Sequence, residues 1–419
     1  MTRRRSCHAM GPVALVAILV ALAAAPPATA AEAGARSDAI TVGALLDLRS
    51  GWTSLGRASE VTLRLAAADA NHRFAASRVP TRVRLKVVDV RGDPARARRE
   101  LRRLAAQGVR LVIGPQASSE VRAVRTAADS LGVVTISQGS TAHSLAIARD
   151  NVFRFVPDDV REGEAVVALL AKDRIDAIVP VWRNDAGNAG LAISVRRQFE
   201  KAGGSVTRGI RYGTGVSDFT PVVGELHTQV SALGAARAAV YLAAFDEAAQ
   251  LFDAASRDPL LASLPWYGSD GVALTPRLLQ DPVAARFAAG VGYPNPTLGL
   301  DAAAIRRSRR LVARVRAKLG SNPDAFALTA YDALRIAAAS IRAAGVDDVR
   351  GLKRALVQTA HGYTGVSGRL LLNAAGDRAF GSYDFWSVCL PGGRPVWTRT
   401  SSYISERPGK GRIVARASC

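Results

Sequence analysis

Residues 109–141 read VRLVIGPQASSEVRAVRTAADSLGVVTISQGST, and they constrain the fold more than any other stretch. Two β-branched apolar runs, 109–113 and 133–136, each stop at small hydroxyl-bearing residues, with a segment of helical spacing between them. A strand, helix, strand unit of this kind belongs to an open parallel sheet. Ligands bind such sheets where strand carboxyl ends meet helix N-termini, because unpaired N–H groups and the helix dipole there favour an anion. Ser118 and Ser119 fall where the helix should start, and Ser140 and Thr141 fall just beyond the second strand. The four hydroxyls can converge on one carboxylate. The alternative is that Ser119 only caps the helix and the second cluster is only a loop.

The alternation extends both ways. Strand patterns at 40–46 and 83–90 are followed by helical ones at 58–71 and 94–107. After an apolar stretch at 152–157, helical patterns at 163–172, 190–202, 219–233 and 246–256 alternate with strands at 177–181, 205–212, 238–242 and 264–267. Two long helical patterns come next, 302–319 and 323–344, the second with Asn322 as a plausible cap and Pro323 in its first turn. GRLLLN at 368–373 and SYDFWSV at 382–388 are expected to pair across the turn AAGD. Two α/β domains follow, and 419 residues, 48% of them hydrophobic, are enough for both.

Arg3, Arg4 and Arg5 precede an uncharged apolar run at 13–25 and the small residues Ala28-Thr29-Ala30. This is the pattern of a secretory signal peptide, residues 1–30, with a linker at 31–37. No later segment is long and apolar enough to span a membrane, so a soluble exported protein, periplasmic or extracellular, is expected. In such an oxidising compartment Cys389 and Cys419 are expected to form a disulfide, with two free thiols as the alternative. Removing residues 1–30 takes away three arginines and no acid, which lowers the formal charge from +21 to +18. Arginines such as Arg306, Arg307, Arg309 and Arg310 lie along helical segments without interleaved aromatics. That describes a solvated basic surface, and nucleic-acid binding is not expected.

No GxSxG elbow, GxGxxG turn after the first strand, Walker loop or HExxH is present. His72, His143, His227 and His361 lack a second histidine or an acid at metal spacing, so neither a metal nor another cofactor is expected. Asp89 and Asp93 look like a carboxylate pair, but Asp93-Pro94 reads better as a helix start. Catalysis is not expected of this chain.

Several motifs stand in a specific order: Asp89 with Asp93-Pro94, VIGPQASS at 112–119, and ISQGST at 136–141. LLDLRSG with Gly56, Asp185 in WRNDAGNAG, AFALTAYDAL at 325–334 and Gly365-x-x-Gly368 complete the set. Together they resemble the periplasmic solute-binding proteins of branched-chain amino-acid ABC transporters, whose fold also forms receptor ligand-binding regions. The resemblance implies an α/β, two-lobed type I periplasmic-binding-protein fold, each lobe a mostly parallel sheet flanked by helices, with three crossover hinges. Lobe one is expected at 38–157 plus 294–374, and lobe two at 158–293 plus 375–419.

The implied function is capture of a small solute, an amino acid or a related carboxylate or amide, by hinge closure. Delivery to the membrane permease of an ABC transporter follows, and a ligand-sensing receptor module is the alternative. A monomer is expected. Carried over by position, Ser118 takes the ligand carboxylate, while Ser140 and Thr141 contact both charged groups. From lobe two, Phe245 supplies an aromatic wall and Asp270, in the turn GSDG, receives the ammonium. Ser119 and Trp52 complete the candidate set. Three departures stand out: no tyrosine follows Asp185, Leu55 replaces the aromatic residue before Gly56, and Ser140 replaces an alanine. A more open or more polar pocket is the expected consequence.

Overall fold

A computed structural model of the chain describes residues 38–233, 237–407 and 410–419; the expected signal peptide and linker lie outside the described residues. The first sheet is built from β1 (Asp38–Leu46), β2 (Thr81–Asp89), β3 (Leu111–Ile113), β4 (Val134–Ser137) and β5 (Val152–Arg154). Its order is β2-β1-β3-β4-β5 and every pairing is parallel, with Gly43 opposite Val112, Leu111 opposite Val134 and Ile136 opposite Phe153. β3 and β4 are buried throughout, because helices cover both faces of a parallel sheet. Those helices include α1 (Thr53–Ala76), α2 (Pro94–Ala106) and α3 (Ser118–Leu131). The Asp93 side chain caps α2 through the N–H of Ala95, 2.8 Å away, so the helix-start reading of Asp93-Pro94 holds.

The second sheet contains β6 (Ala177–Arg183), β7 (Ser205–Val206), β8 (Ile210–Tyr212), β9 (Ala238–Ala243) and β10 (Trp266–Tyr267), again all parallel. It runs β10-β9-β6-β7, with β8 continuing beside β6. Helices α4 (Asp159–Lys172) and α5 (Ala186–Lys201) pack on one face, with the rings of Tyr241, Tyr383 and Phe385 in the same apolar cluster.

A third sheet is antiparallel, where the sequence suggested only one strand pair. β11 (Asn295–Leu298) pairs with a later strand and not with its neighbours in sequence. The short strands β12 (Thr364–Gly365) and β13 (Gly368–Arg369) pair with each other, not with SYDFWSV. β14 (Tyr383–Cys389) lies between β11 and β15 (Val396–Arg407), and β15 turns back into β16 (Lys410–Ala415). The expected hairpin fails because the segment after β13 is held beside β5. Arg154 and Asp377 form a bidentate pair there, at 2.5 and 2.6 Å. Cys389 and Cys419 are joined by a disulfide at the end of this sheet.

The helix Ala325–Ala344 is buried along most of its length, as a helix enclosed by other elements must be, and its alanines let it approach α1 closely. Its cap is Asp324, whose carboxylate accepts from the N–H of Ala327; Asn322 does not cap it, and Pro323 precedes the helix. No helix among the described residues is long and apolar enough to cross a membrane.

Candidate functional site

Glycine, aspartate and glutamine fix the first wall of the site before any ligand group appears. A Cβ on Gly56 would stand 1.7 Å from the carbonyl oxygen of Asp47, so only glycine lets α1 start this close to β1. The Asp47 carboxylate then gathers the turn, accepting from the N–H groups of Ser50 (2.9 Å) and Trp52 (3.0 Å). Gln116, in the loop after β3, accepts from the Asp47 N–H and donates to the Trp52 carbonyl at 2.7 Å. The Trp52 ring is thereby aimed over the carboxyl ends of β3 and β4.

The loops after those two strands are tied together. Ser137 donates to the Pro115 carbonyl at 2.6 Å and accepts from the Ser140 N–H. Ser118 and Ser140 hydroxyls lie 3.0 Å apart, and Ser118 also accepts from the N–H of Ala142. Ser118 opens α3, whose N-terminus favours a negative charge at this point.

The second wall comes from β6, β9 and β10. Asp185 caps α5, accepting from the N–H groups of Gly187 and Asn188 and from the Asn188 side chain at 2.8 Å. A Cβ on Gly187 would lie 3.4 Å from the Ser118 hydroxyl, so the two walls touch. Phe245 follows β9, and Asp270 follows β10. Asp246 crosses the cleft as well, taking the Ser54 N–H at 3.1 Å.

Trp52, Ser118, Thr141, Phe245 and Asp270 all border one cavity. Ser140 stands behind Ser118 and orients its hydroxyl. Ser119 does not border the cavity; nor is it the helix cap, a position held by Ala117. Gly139, Gly187, Asn188 and Leu191 complete the lining. Of these, Gly187 and Asn188 were legible in principle. Asp185-Ala-Gly-Asn follows the first strand of the second sheet just as the Asp47 turn follows the first strand of the first sheet.

The two walls leave little space between them. The cavity measures about 10 Å³, the space of roughly one water. The missing tyrosine is offset by Trp52, whose indole stacks on Phe245 at 4.5 Å and whose edge meets Phe326 at 6.4 Å. Outside this pair lies a second cavity of about 660 Å³, bordered by Arg49, Arg57, Arg183 and Arg277 from both walls. Arg183 borders the outer cavity, with its guanidinium 5.5 Å from the Phe245 ring centre and ion-paired to Asp185 and Glu247.

Acidic groups behind the inner cavity are far from their ordinary state. Burial pushes Asp270 up to about 7 and Asp159 up to about 8. Burial, followed by the charges of Asp270 and Asp159, raises Glu162 well above the usual carboxyl range. No group of three or more His, Cys, Asp or Glu side chains that could hold a metal ion is present among the described residues.

The chain is similar to known binding proteins over most of its length. It is 26% identical to an uncharacterized protein of Methanocaldococcus jannaschii, over 90% of this chain and 94% of that one. Its fold matches the branched-chain amino acid transporter substrate-binding protein LivJ of Streptococcus pneumoniae, solved with isoleucine. That likeness has a TM-score of 0.71 at 18% identity, covering 90% of this chain and 100% of the other. A solute-binding protein of an ABC transporter from R. palustris, solved with benzoate, gives a TM-score of 0.70 at 20% identity, covering 90% and 98%. Residues 39–388 match the family described as periplasmic binding protein, and the chain therefore belongs to that family.

Proposed function

We propose that this chain is an exported solute-binding subunit of an ABC transporter, which captures a small amino acid or related carboxylate by closing two lobes. The observation that carries the reading is that Ser118 and Thr141 from one wall, and Phe245 and Asp270 from the other, border a single cavity. Ser118, Thr141 and the N-terminus of α3 suit a carboxylate, and Asp270 suits an ammonium. Hydrogen bonds to charged groups contribute roughly 1.5–3 kcal/mol each, so a few converging on a zwitterion give useful affinity. The ligand then favours the closed arrangement only through contacts made in it. Isoleucine and benzoate, bound by two structural neighbours, both carry the carboxylate this reading requires.

Small-molecule sites typically need roughly 300 Å³ or more, so entry requires Trp52 and Phe245 to part. The four arginines at the outer cavity would draw a carboxylate toward the gap. Binding without chemical conversion, release to a membrane permease, a monomeric state and removal of residues 1–30 on export belong to the same reading. So do the lobe boundaries. Pairing of β11 with β14, and of Arg154 with Asp377, supports placing the second and third crossovers after Leu298 and Arg378, later than the sequence suggested.

The test is a thermal-shift screen of the mature protein against amino acids, small amides, short-chain acids and aromatic carboxylates. A ligand at a hundred times its dissociation constant adds about 2.7 kcal/mol of stability. A shift confined to one chemical group supports the reading. No shift with any group contradicts it.

A further inference from the structure

Behind the cavity lie three carboxyl groups with no cation of their own. Asp159 and Glu162 occupy the first turn of α4 and are completely buried; Asp270 is 4% exposed and borders the cavity. Glu162 accepts from the Asp270 N–H at 3.1 Å, and their carboxyls are within hydrogen-bonding reach of each other. Asp159 touches the lobe-one loop, donating its N–H to the Thr141 carbonyl and accepting from the His143 N–H. One oxygen of each acid, Asp159 Oδ1, Glu162 Oε2 and Asp270 Oδ2, has no hydrogen-bond partner among the described residues.

Independently of the acids, Asn188 borders the same cavity from α5, is 1% exposed, and leaves its Oδ1 without a partner. Two unpartnered acceptors, Asp270 Oδ2 and Asn188 Oδ1, thus belong to residues lining one cavity. An unpaired buried acceptor costs free energy until a donor arrives.

Neither oxygen receives a hydrogen bond from the surrounding protein. The guanidinium of Arg154 is committed to Asp377 and to the Ala142 carbonyl at 2.7 Å, and that of Arg183 is ion-paired to Asp185 and Glu247. The His143 ring is turned to Asp158. Tyr241 and Tyr383 lie beside the cluster, while Asp185 and Asp324 add further negative charge around Asp270. The N-terminal dipole of α4 offsets part of this repulsion but brings no hydrogen-bond donor for the free oxygens.

We propose that Glu162 and Asp159 are positioning residues that make Asp270 part of a proton-sharing cluster, and that a ligand's compact protonated amine docks by displacing a proton from it. The inference rests on the binding reading above and narrows its ligand to solutes carrying an amine. In the exchange no covalent bond to the ligand forms or breaks; the acid O–H bond breaks, the ammonium takes the place of its proton, and that proton passes to solvent. The raised proton affinity of the three acids accords with this geometry.

Infrared spectroscopy of the mature protein at pH 7 tests it. Before ligand is added, the wild type should show the carbonyl stretch of protonated carboxyl groups, and Glu162→Gln should lose about one carboxyl's share. Asp159→Asn serves the same purpose if Glu162→Gln does not melt cooperatively. Adding L-isoleucine should remove about one carboxyl's share of the band in the wild type, and benzoate, which has no amine, should leave it unchanged. A wild-type spectrum without the band, or a band untouched by both substitutions, overturns the proposal whatever binds. A band of unchanged intensity after L-isoleucine overturns the exchange. Failure of every small molecule to shift the melting temperature overturns the binding reading, while the spectrum before ligand addition still decides whether the proton is stored.

Discussion

Trp52 and Phe245 stack ring on ring across the cleft, with centroids 4.5 Å apart and planes 13° from parallel. One ring is held by the Asp47 turn and the other follows β9, so this contact is a latch between the two walls. Leu55, Val156, Leu298 and Phe326 share the same apolar cluster. Stacked pairs add about 0.5–1.5 kcal/mol beyond the area they bury.

Phe245→Ala removes one half of the latch. Truncating a buried aromatic costs about 3–5 kcal/mol, which is an upper bound here because water can enter a cleft that opens. The radius of gyration of the variant without added ligand should exceed that of the wild type in small-angle scattering. An unchanged radius would show that the stack does not hold the walls together.

Stability should fall as pH rises from about 5 to 8. Carboxyl groups have pKa values near 4 in the unfolded chain. Burial raises Asp270 to about 7, and Asp159 and Glu120 to about 8 in the folded state. The folded protein therefore binds more protons than the unfolded one in this window. The contribution of these groups is complete below the unfolded values and is lost as pH rises through the folded ones. Melting temperatures measured across that range, without added ligand, should decline. A rise would contradict the assignment of these acids as protonated.

The disulfide between Cys389 and Cys419 closes a segment with a sequence separation of 30 residues. On the chain-entropy account it contributes about 3–4 kcal/mol. Cys419→Ser, or reduction of the wild type, should lower the melting temperature by a similar amount in both cases. No drop from the substitution would contradict a stabilising bond between Cys389 and Cys419.

The parallel sheets were legible because their strands are short apolar runs broken by glycine and hydroxyl residues, as at Ile113-Gly114 and Ile136-Ser137. Asp93 and Pro94 announced their helix correctly, since capping is a local interaction. The hairpin reading of 368–388 failed because Arg154, more than two hundred residues away in the chain, holds Asp377 beside β5. A pairing at that separation leaves no local pattern. The five cavity residues were reached from the hydroxyl loops and from the family resemblance, whereas Ser119 lies outside the lining, because Ala117 caps the helix two residues earlier than Ser119 would. Glu162 was invisible for another reason. Its importance lies in a contact with Asp270 that only the folded chain creates.

The central claim is that one small zwitterion is gripped from both walls, with Asp270 receiving its ammonium. The most direct test melts the wild type and Asp270→Asn in parallel against the same panel of amino acids and carboxylates. Loss of a charged hydrogen bond costs about 1.5–3 kcal/mol, roughly a ten- to hundredfold loss of affinity. The account predicts a melting shift in the wild type with amino acids that largely disappears in Asp270→Asn. An equal shift in both proteins would contradict it.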